Sequence, residues 1–178
     1  MAEMKTPEGL VLRSWRPDDA PAVLRAFAPA GMSRQSARPV TTPAEALEWV
    51  ADRERERAAG TGYAWAVVGE GEVLGCVTVG AVNRVHDTGW VSYWTAGPAR
   101  GRGVAGAGVR ALARWAFGDL GLFRLELGHR TNNPASCRVA GRAGFAVEGI
   151  ERGKLRYGEE RFDVERHARL ASDSVNEG

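Results

Sequence analysis

From Tyr93 to Phe117 the chain reads YWTAGPARGRGVAGAGVRALARWAF: an aromatic run, a loop of glycines and arginines, then small and apolar residues at helical spacing. No other stretch restricts the fold as tightly. A strand that enters a Gly-rich turn and leaves as a helix gathers unpaired backbone N–H groups and the positive end of the helix dipole at one point, where a phosphate can bind. Glycine lets the backbone approach the anion without a Cβ in the way. Gly101, Gly103 and Gly106 spell GxGxxG, a pattern shared by several nucleotide sites. A dinucleotide fold does not suit it, because Gly97, Pro98 and Ala99 separate the strand from the loop and the strand ends an antiparallel meander in mid-chain. Glu126 stands where a ribose-binding acid would, yet only one further strand and helix follow. A Walker loop is excluded because neither GKS nor GKT follows.

The rest of the chain supplies the frame. GLVLRSW alternates as a first strand, and Pro17, Asp18 and Asp19 open a helix carrying Val23, Leu24 and Phe27. Residues 28–40 contain Pro, Gly and Ser without a period and read as a loop. Thr42, Pro43 and Glu45 form a capping box that starts a second helix, running to about Arg57. GYAWAVV and VLGCVTVGAV, joined by a Gly-containing turn, read as a hairpin, and VHDTGWVSYWT as the next strand. After the opening stretch, whose helix buries Val109, Leu112 and Ala116 and ends at Gly118, LFRLELGHR is a fifth strand with Leu125, Leu127 and His129 on one face. Asn133 and Pro134 open a last helix that ends at Gly144, and two strands flank a turn at Tyr157 to Glu160. The predicted order is β, α, α, three strands, α, β, α, two strands, in one domain over 1–178 with a core from about residue 9 to 170.

Composition removes other classes of function. With 24 basic against 22 acidic side chains spread along the chain, no face is marked for nucleic acid. The start lacks the continuous apolar segment of a signal peptide, and no run of about 18 apolar residues occurs. A cytoplasmic protein without membrane contact is expected. Cys76 and Cys137 make no ligand cluster by spacing and are expected to be buried thiols, so no metal is anticipated.

Respaced, the loop reads Arg100-x-x-Gly103-x-Ala105, and about thirty residues on comes LELGHRTNNPASCRVAGRAGF. These two motifs, in this order, resemble the pyrophosphate loop and the Asn-x-x-Ser helix start of the GNAT acyltransferase superfamily, closest to its Rim-type, ribosomal-protein N-terminal acetyltransferase-like branch. The resemblance implies an α/β (α+β) fold: a mixed, mostly antiparallel central sheet with splayed fourth and fifth strands and four flanking helices. It also implies acetyl-CoA in the gap as cosubstrate. Backbone groups of Trp94, Thr95 and Ala96 would pair with its pantetheine arm. The loop from Arg100 through Gly101, Arg102, Gly103 and Val104 to Ala105 would hold the pyrophosphate, and Asn133 the pantetheine, beside Ser136. The amine, a protein N-terminus or a small molecule, would attack the thioester directly in a ternary complex. Homodimers are common among such proteins.

The catalytic roles follow the same resemblance. A backbone N–H near Trp94 or Thr95 would polarise the carbonyl. Ser136 would protonate the leaving thiolate, although Asn133 and Ser136, three apart at a helix start, also suit plain capping. The tyrosine many relatives place seven residues after this asparagine is Ala140 here. Relatives' glutamates on the fourth and fifth strands are replaced by Trp90 and Gly128, leaving Glu126, His86 and Asp87 as the nearby candidates for a base. The missing glutamates keep open a second reading, a catalytically silent module that binds acyl-CoA.

Overall fold

Alternation in the sequence becomes one twisted sheet in the computed structural model, which describes residues 3–173. Its strands are β1 (Met4–Lys5), β2 (Val11–Arg13), β3 (Tyr63–Gly69), β4 (Glu72–Asn83), β5 (Thr88–Thr95), β6 (Arg124–Arg130), β7 (Ala146–Tyr157) and β8 (Glu160–Leu170). The helices are α1 (Ala20–Phe27), α2 (Pro43–Ala58), α3 (Val104–Gly118) and α4 (Pro134–Arg142). The sheet order is β1-β2-β3-β4-β5-β6-β8-β7. Every neighbour is antiparallel except β5 and β6, whose parallel pairing needs the crossover that α3 supplies. The short β1 is absent from the sequence reading, so the anticipated fourth and fifth strands are β5 and β6.

Those two strands part. They pair only through Thr88 with Arg124, Gly89 with Leu125 and Trp90 with Glu126. Beyond that point each follows its other neighbour: β5 stays on β4 as far as Thr95 against Gly75, and β6 stays on β8 as far as Arg130 against Val164. A gap therefore opens between Val91–Thr95 and Leu127–Arg130.

Two apolar layers hold this geometry. Between the sheet and the helices α3 and α4, Val67, Val77, Val79, Val91, Leu125 and Leu127 of the strands meet Leu112 of α3, all essentially inaccessible, each leucine or valine contributing about 1.5–3 kcal/mol by its burial. Gly108 lets α3 descend onto the sheet, because a Cβ there would come within 2.8 Å of Val77. On the opposite face α1 and α2 enclose Trp15, Phe27, Trp49 and Trp94, with ring centroids 4.9–6.2 Å apart.

Local signals were carried through with small shifts. The Thr42 and Glu45 capping box forms as expected. Pro17–Asp19 is a 3₁₀ turn ahead of α1, and the loop of residues 28–40 contains another at Ala30–Gln35. Gly118 is the last residue of α3 but does not turn the chain; the left-handed residue is Gly121, at φ 71°. Of the two cysteines, Cys76 is buried, which pushes its thiol up to about 11, whereas Cys137 is exposed, contrary to expectation, because it lies in the solvent-facing first turn of α4. Among the described residues no helix is long and apolar enough to cross a membrane.

Candidate active site

The loop between β5 and α3 begins with a 3₁₀ turn, Gly97–Ala99, and then swings through Gly101 and Gly103, both at φ 77°. A side chain at either position would meet open space, so what requires glycine is the left-handed backbone rather than crowding. Gly106 lies inside α3 without positive φ, so the GxGxxG spacing has no joint conformational meaning here. Gly103 is the N-cap of α3 and offers no side chain, so the first N–H groups of the helix stay uncapped and point outward with the dipole behind them. Arg102, Gly103, Val104 and Ala105 thus sit at a helix start whose free N–H groups and dipole suit an anion. The Arg100 guanidinium folds back, donating to the Thr95 carbonyl at 3.3 Å and reaching the Met32 sulfur at 3.5 Å.

Behind the loop lies the gap edge of β5. The Trp94 ring is in the aromatic layer and its backbone pairs with Cys76 of β4. Ala96, two residues on, faces the same way. Its N–H donates to Leu74 at 2.9 Å and its carbonyl accepts from Ala99, because the chain leaves β5 at Thr95 and turns. Backbone groups alternate between the two edges of a strand, so the positions that face the gap and can pair with a ligand are Tyr93 and Thr95. A groove of about 440 Å³ between α1, the β3–β4 turn and this loop lies on the other side of β5 and is not the gap.

Across the gap, the Asn133 side-chain oxygen caps α4, accepting from the Ser136 N–H at 3.2 Å. This engages the oxygen and leaves the amide group and the Ser136 hydroxyl for other contacts. Sequence reasoning missed Tyr93 as the neighbour of Ser136. It follows Ser92 on β5 and shares a face with Val91. Among the described residues its buried hydroxyl has no partner in bonding geometry. Burial pushes the phenol up, offset in part by the Ser136 hydroxyl nearby. Alternation along β5 places Tyr93 on the face of Val91, and only the three-dimensional approach of α4 brings the two hydroxyls together.

The other mouth of the gap is a charged and aromatic lattice. Glu126, at the last paired position, accepts from Arg124 at 2.8 Å with one oxygen and from Arg166 at 2.9 Å with the other. Arg166 also reaches Glu151 at 3.3 Å and stacks 4.7 Å over Trp90. Arg124 extends the lattice to Glu148, whose carboxyl it holds below the usual range. A Cβ on Gly128 would lie 3.0 Å from the Trp90 ring and 3.0 Å from Val164. The two departures noted in the sequence are therefore one packing event: the Trp90 ring occupies the space over Gly128. His86 and Asp87 lie before Thr88, at the closed end of the pair, roughly 10 Å or more along the strand from where the gap opens. The structure does not bring them to the gap. At the rim, Arg130 lies over Tyr157 and Phe162 of the β7–β8 hairpin, 5.6 and 5.1 Å from the ring centroids.

This arrangement has counterparts among known proteins. A family model described as Acetyltransferase (GNAT) domain matches residues 9–146. Over 106 residues the chain is 28% identical to "Putative ribosomal N-acetyltransferase YdaF" of Bacillus subtilis (strain 168), covering 60% of this chain. It spans only 58% of that relative's length. A solved structure described as "Probable acetyltransferase" superposes with a TM-score of 0.88 at 22% identity, over 98% of this chain and 99% of that one. RimL, a ribosomal L7/L12 alpha-N-protein acetyltransferase in complex with coenzyme A, superposes with a TM-score of 0.85 at 20% identity, over 95% and 98% of the two chains. At these identities the superpositions establish the fold.

Proposed function

Because the chain belongs to the acetyltransferase (GNAT) family, we propose that it moves an acetyl group from acetyl-CoA to a primary amine, with a protein N-terminus as acceptor. The observation that carries this reading is the gap itself: three paired residues, then two diverging strands, with an uncapped helix start at one mouth. The residues fit the cosubstrate. The N–H groups from Arg102 to Ala105 receive the pyrophosphate, the backbone of Tyr93 and Thr95 on either side of Trp94 pairs with the pantetheine arm, and the Asn133 amide adds a side-chain contact. When bound, the cosubstrate supplies an activated acyl group as a thioester.

The chain's own residues then divide the work. An N–H on the gap edge near Trp94 or Thr95 polarises the acyl carbonyl, an effect typically worth about 3–4 kcal/mol per donor. Ser136 gives its proton to the departing sulfur and is reprotonated, through the Tyr93 hydroxyl that positions it, by the proton that the attacking nitrogen sheds as the amide forms. Glu126 is the carboxylate at the parting of the strands, and both its oxygens already accept from guanidinium groups. Taking a proton from the incoming amine would cost it one of those ion pairs. An α-amino group, with a pKa of about 8, carries enough free base near neutral pH to react without that step. The named activities of YdaF and RimL support a peptide acceptor of the Rim type. It would approach between the loop of residues 28–40 and the hairpin tip, and a cytoplasmic setting suits it.

The test is calorimetric titration with acetyl-CoA, CoA and NAD, followed by thiol release with a panel of N-terminal peptides and small amines. Acetyl-CoA binding, no NAD binding and peptide turnover are expected. Binding without turnover on any amine would instead establish the silent acyl-CoA module, the reading that Trp90 over Gly128 favours. No binding would remove both readings.

A further inference from the structure

Outside the gap, on the α3 and α4 face, four side chains from three elements turn toward one point: His129 of β6, Cys137 of α4, and Glu165 and His167 of β8. One ligating atom from each lies within 4.8 Å of all the others. The sheet produces this without any local motif. His129 is paired directly with Glu165, and His167 follows two residues on, so all three project from one face. The first turn of α4 brings Cys137 over them.

The protons do not balance in this cluster. Nδ1 of His129 lies 2.9 Å from the Arg130 carbonyl, which can only accept, so Nδ1 carries the hydrogen and Nε2 presents a lone pair. Nε2 of His167 lies 2.9 Å from that lone pair and 2.9 Å from the Glu165 carboxylate. The carboxylate is itself 3.4 Å from His129 Nε2 and 3.6 Å from the Cys137 sulfur. One imidazole hydrogen cannot serve both acceptors, and both rings are almost fully buried. The point where these lone pairs meet calls for a cation. Among the described residues Nδ1 of His167 has no partner in either case and does not discriminate.

We propose that His129, Cys137, Glu165 and His167 form a binding site for a divalent transition-metal ion of the zinc class. Two imidazoles, a thiolate and a carboxylate suit a borderline ion in a closed tetrahedral site. With metal–ligand bonds of about 2.0–2.3 Å, neighbouring ligand atoms in such a site stand roughly 3.3–3.8 Å apart. The carboxylate distances to His129 and Cys137 already match, whereas the two 2.9 Å contacts of His167 must open and the widest pairs, within 4.8 Å, must close. The carbonyl bond to His129 Nδ1 is the outer contact that fixes a metal-binding tautomer. Glu165 and Cys137 lie on the solvent side and give the ion a path in. The ion fastens α4 to β6 and β8 one residue after Ser136, so it is structural and sets where that serine stands.

The experiment uses the full chain, stripped with chelator and titrated with Co²⁺ and then Zn²⁺. One equivalent of Co²⁺ is expected to give the visible bands of tetrahedral cobalt together with a near-ultraviolet thiolate charge-transfer band, both displaced by Zn²⁺. Zn²⁺ is expected to raise the melting temperature. Cys137→Ala replaces an exposed helical residue and should fold, as circular dichroism will check. It is expected to lose the charge-transfer band and to weaken Zn²⁺ by more than the roughly 10- to 100-fold that loss of an outer-shell contact costs. His129→Ala is expected to abolish the spectrum. A wild-type protein that shows no cobalt spectrum and no thermal shift with excess metal would overturn the proposal and leave a shared extra proton as the cation. Persistence of the charge-transfer band in Cys137→Ala would also overturn it.

Discussion

The two mouths of the gap between β5 and β6 are made of different material. At the α3 end the functional groups are backbone amides presented by two left-handed glycines and a helix start without a cap. At the other end they are side chains, Trp90, Glu126 and Arg166, locked by packing and ion pairs that span β5, β6, β7 and β8. The first design depends on a few residues consecutive in sequence. The second depends on register between distant strands. A backbone cradle tolerates almost any neighbouring side chain, so it can serve every member of a family, whereas a side-chain lattice is where one chain can differ from the next.

Substitutions at the two mouths should therefore have different signatures. The largest effect is expected for Ser136→Ala, between them, which should lower kcat by about 10²–10³ while acetyl-CoA affinity stays within a few-fold, as for loss of a general acid. Equal losses in binding and turnover would put Ser136 on the backbone side as a mere cap. Gly103→Val places a β-branched residue at φ 77° and should cost about 1–3 kcal/mol, or roughly 10- to 100-fold in CoA affinity by calorimetry, with little change in acceptor KM. Glu126→Gln should do the reverse, raising acceptor KM by releasing Arg166 while lowering kcat less than about tenfold; a loss of 10²–10⁴ would make Glu126 the general base.

The smallest effect concerns stability and pH. Burial alone would raise the Asp19 carboxyl, but its paired bonds from Arg13 at 2.7 and 2.8 Å and the Arg16 N–H hold it below the usual range. A depressed pKa contributes stability above the unfolded value of about 3.9 that is lost as pH falls through the folded one. Acid unfolding followed by tryptophan fluorescence should therefore be less steep in Asp19→Asn below about pH 4. A matching slope would mean that this pair is irrelevant to the aromatic side of the sheet.

The same contrast governs what could be read from the sequence. Gly103, the capping box at Thr42 and Glu45, and the Asn133 start of α4 are local, and each stands where the spacing put it. The alternation of Leu125, Leu127 and His129 fixed the inward face of β6. What alternation could not supply was the partner across space. Tyr93 meeting Ser136, Trp90 filling the room above Gly128, and Cys137 joining two histidines each depend on elements brought together from far apart in the chain. Ala96 is a smaller case: the strand ends one residue earlier than the motif suggests, its N–H goes to Leu74 of β4 and its carbonyl to the turn.

The parting of β5 from β6 has one more consequence. A strand edge without a partner is ordinarily a hazard, because its free N–H and C=O groups will template another chain. Here the edge of Val91–Thr95 lies in the middle of a sheet rather than at its margin, walled by β6 on one side and by α4 at its end. A second sheet cannot be driven into that slit, but a single linear molecule can. The fold thus turns a source of aggregation into a filter that selects its guest by thinness.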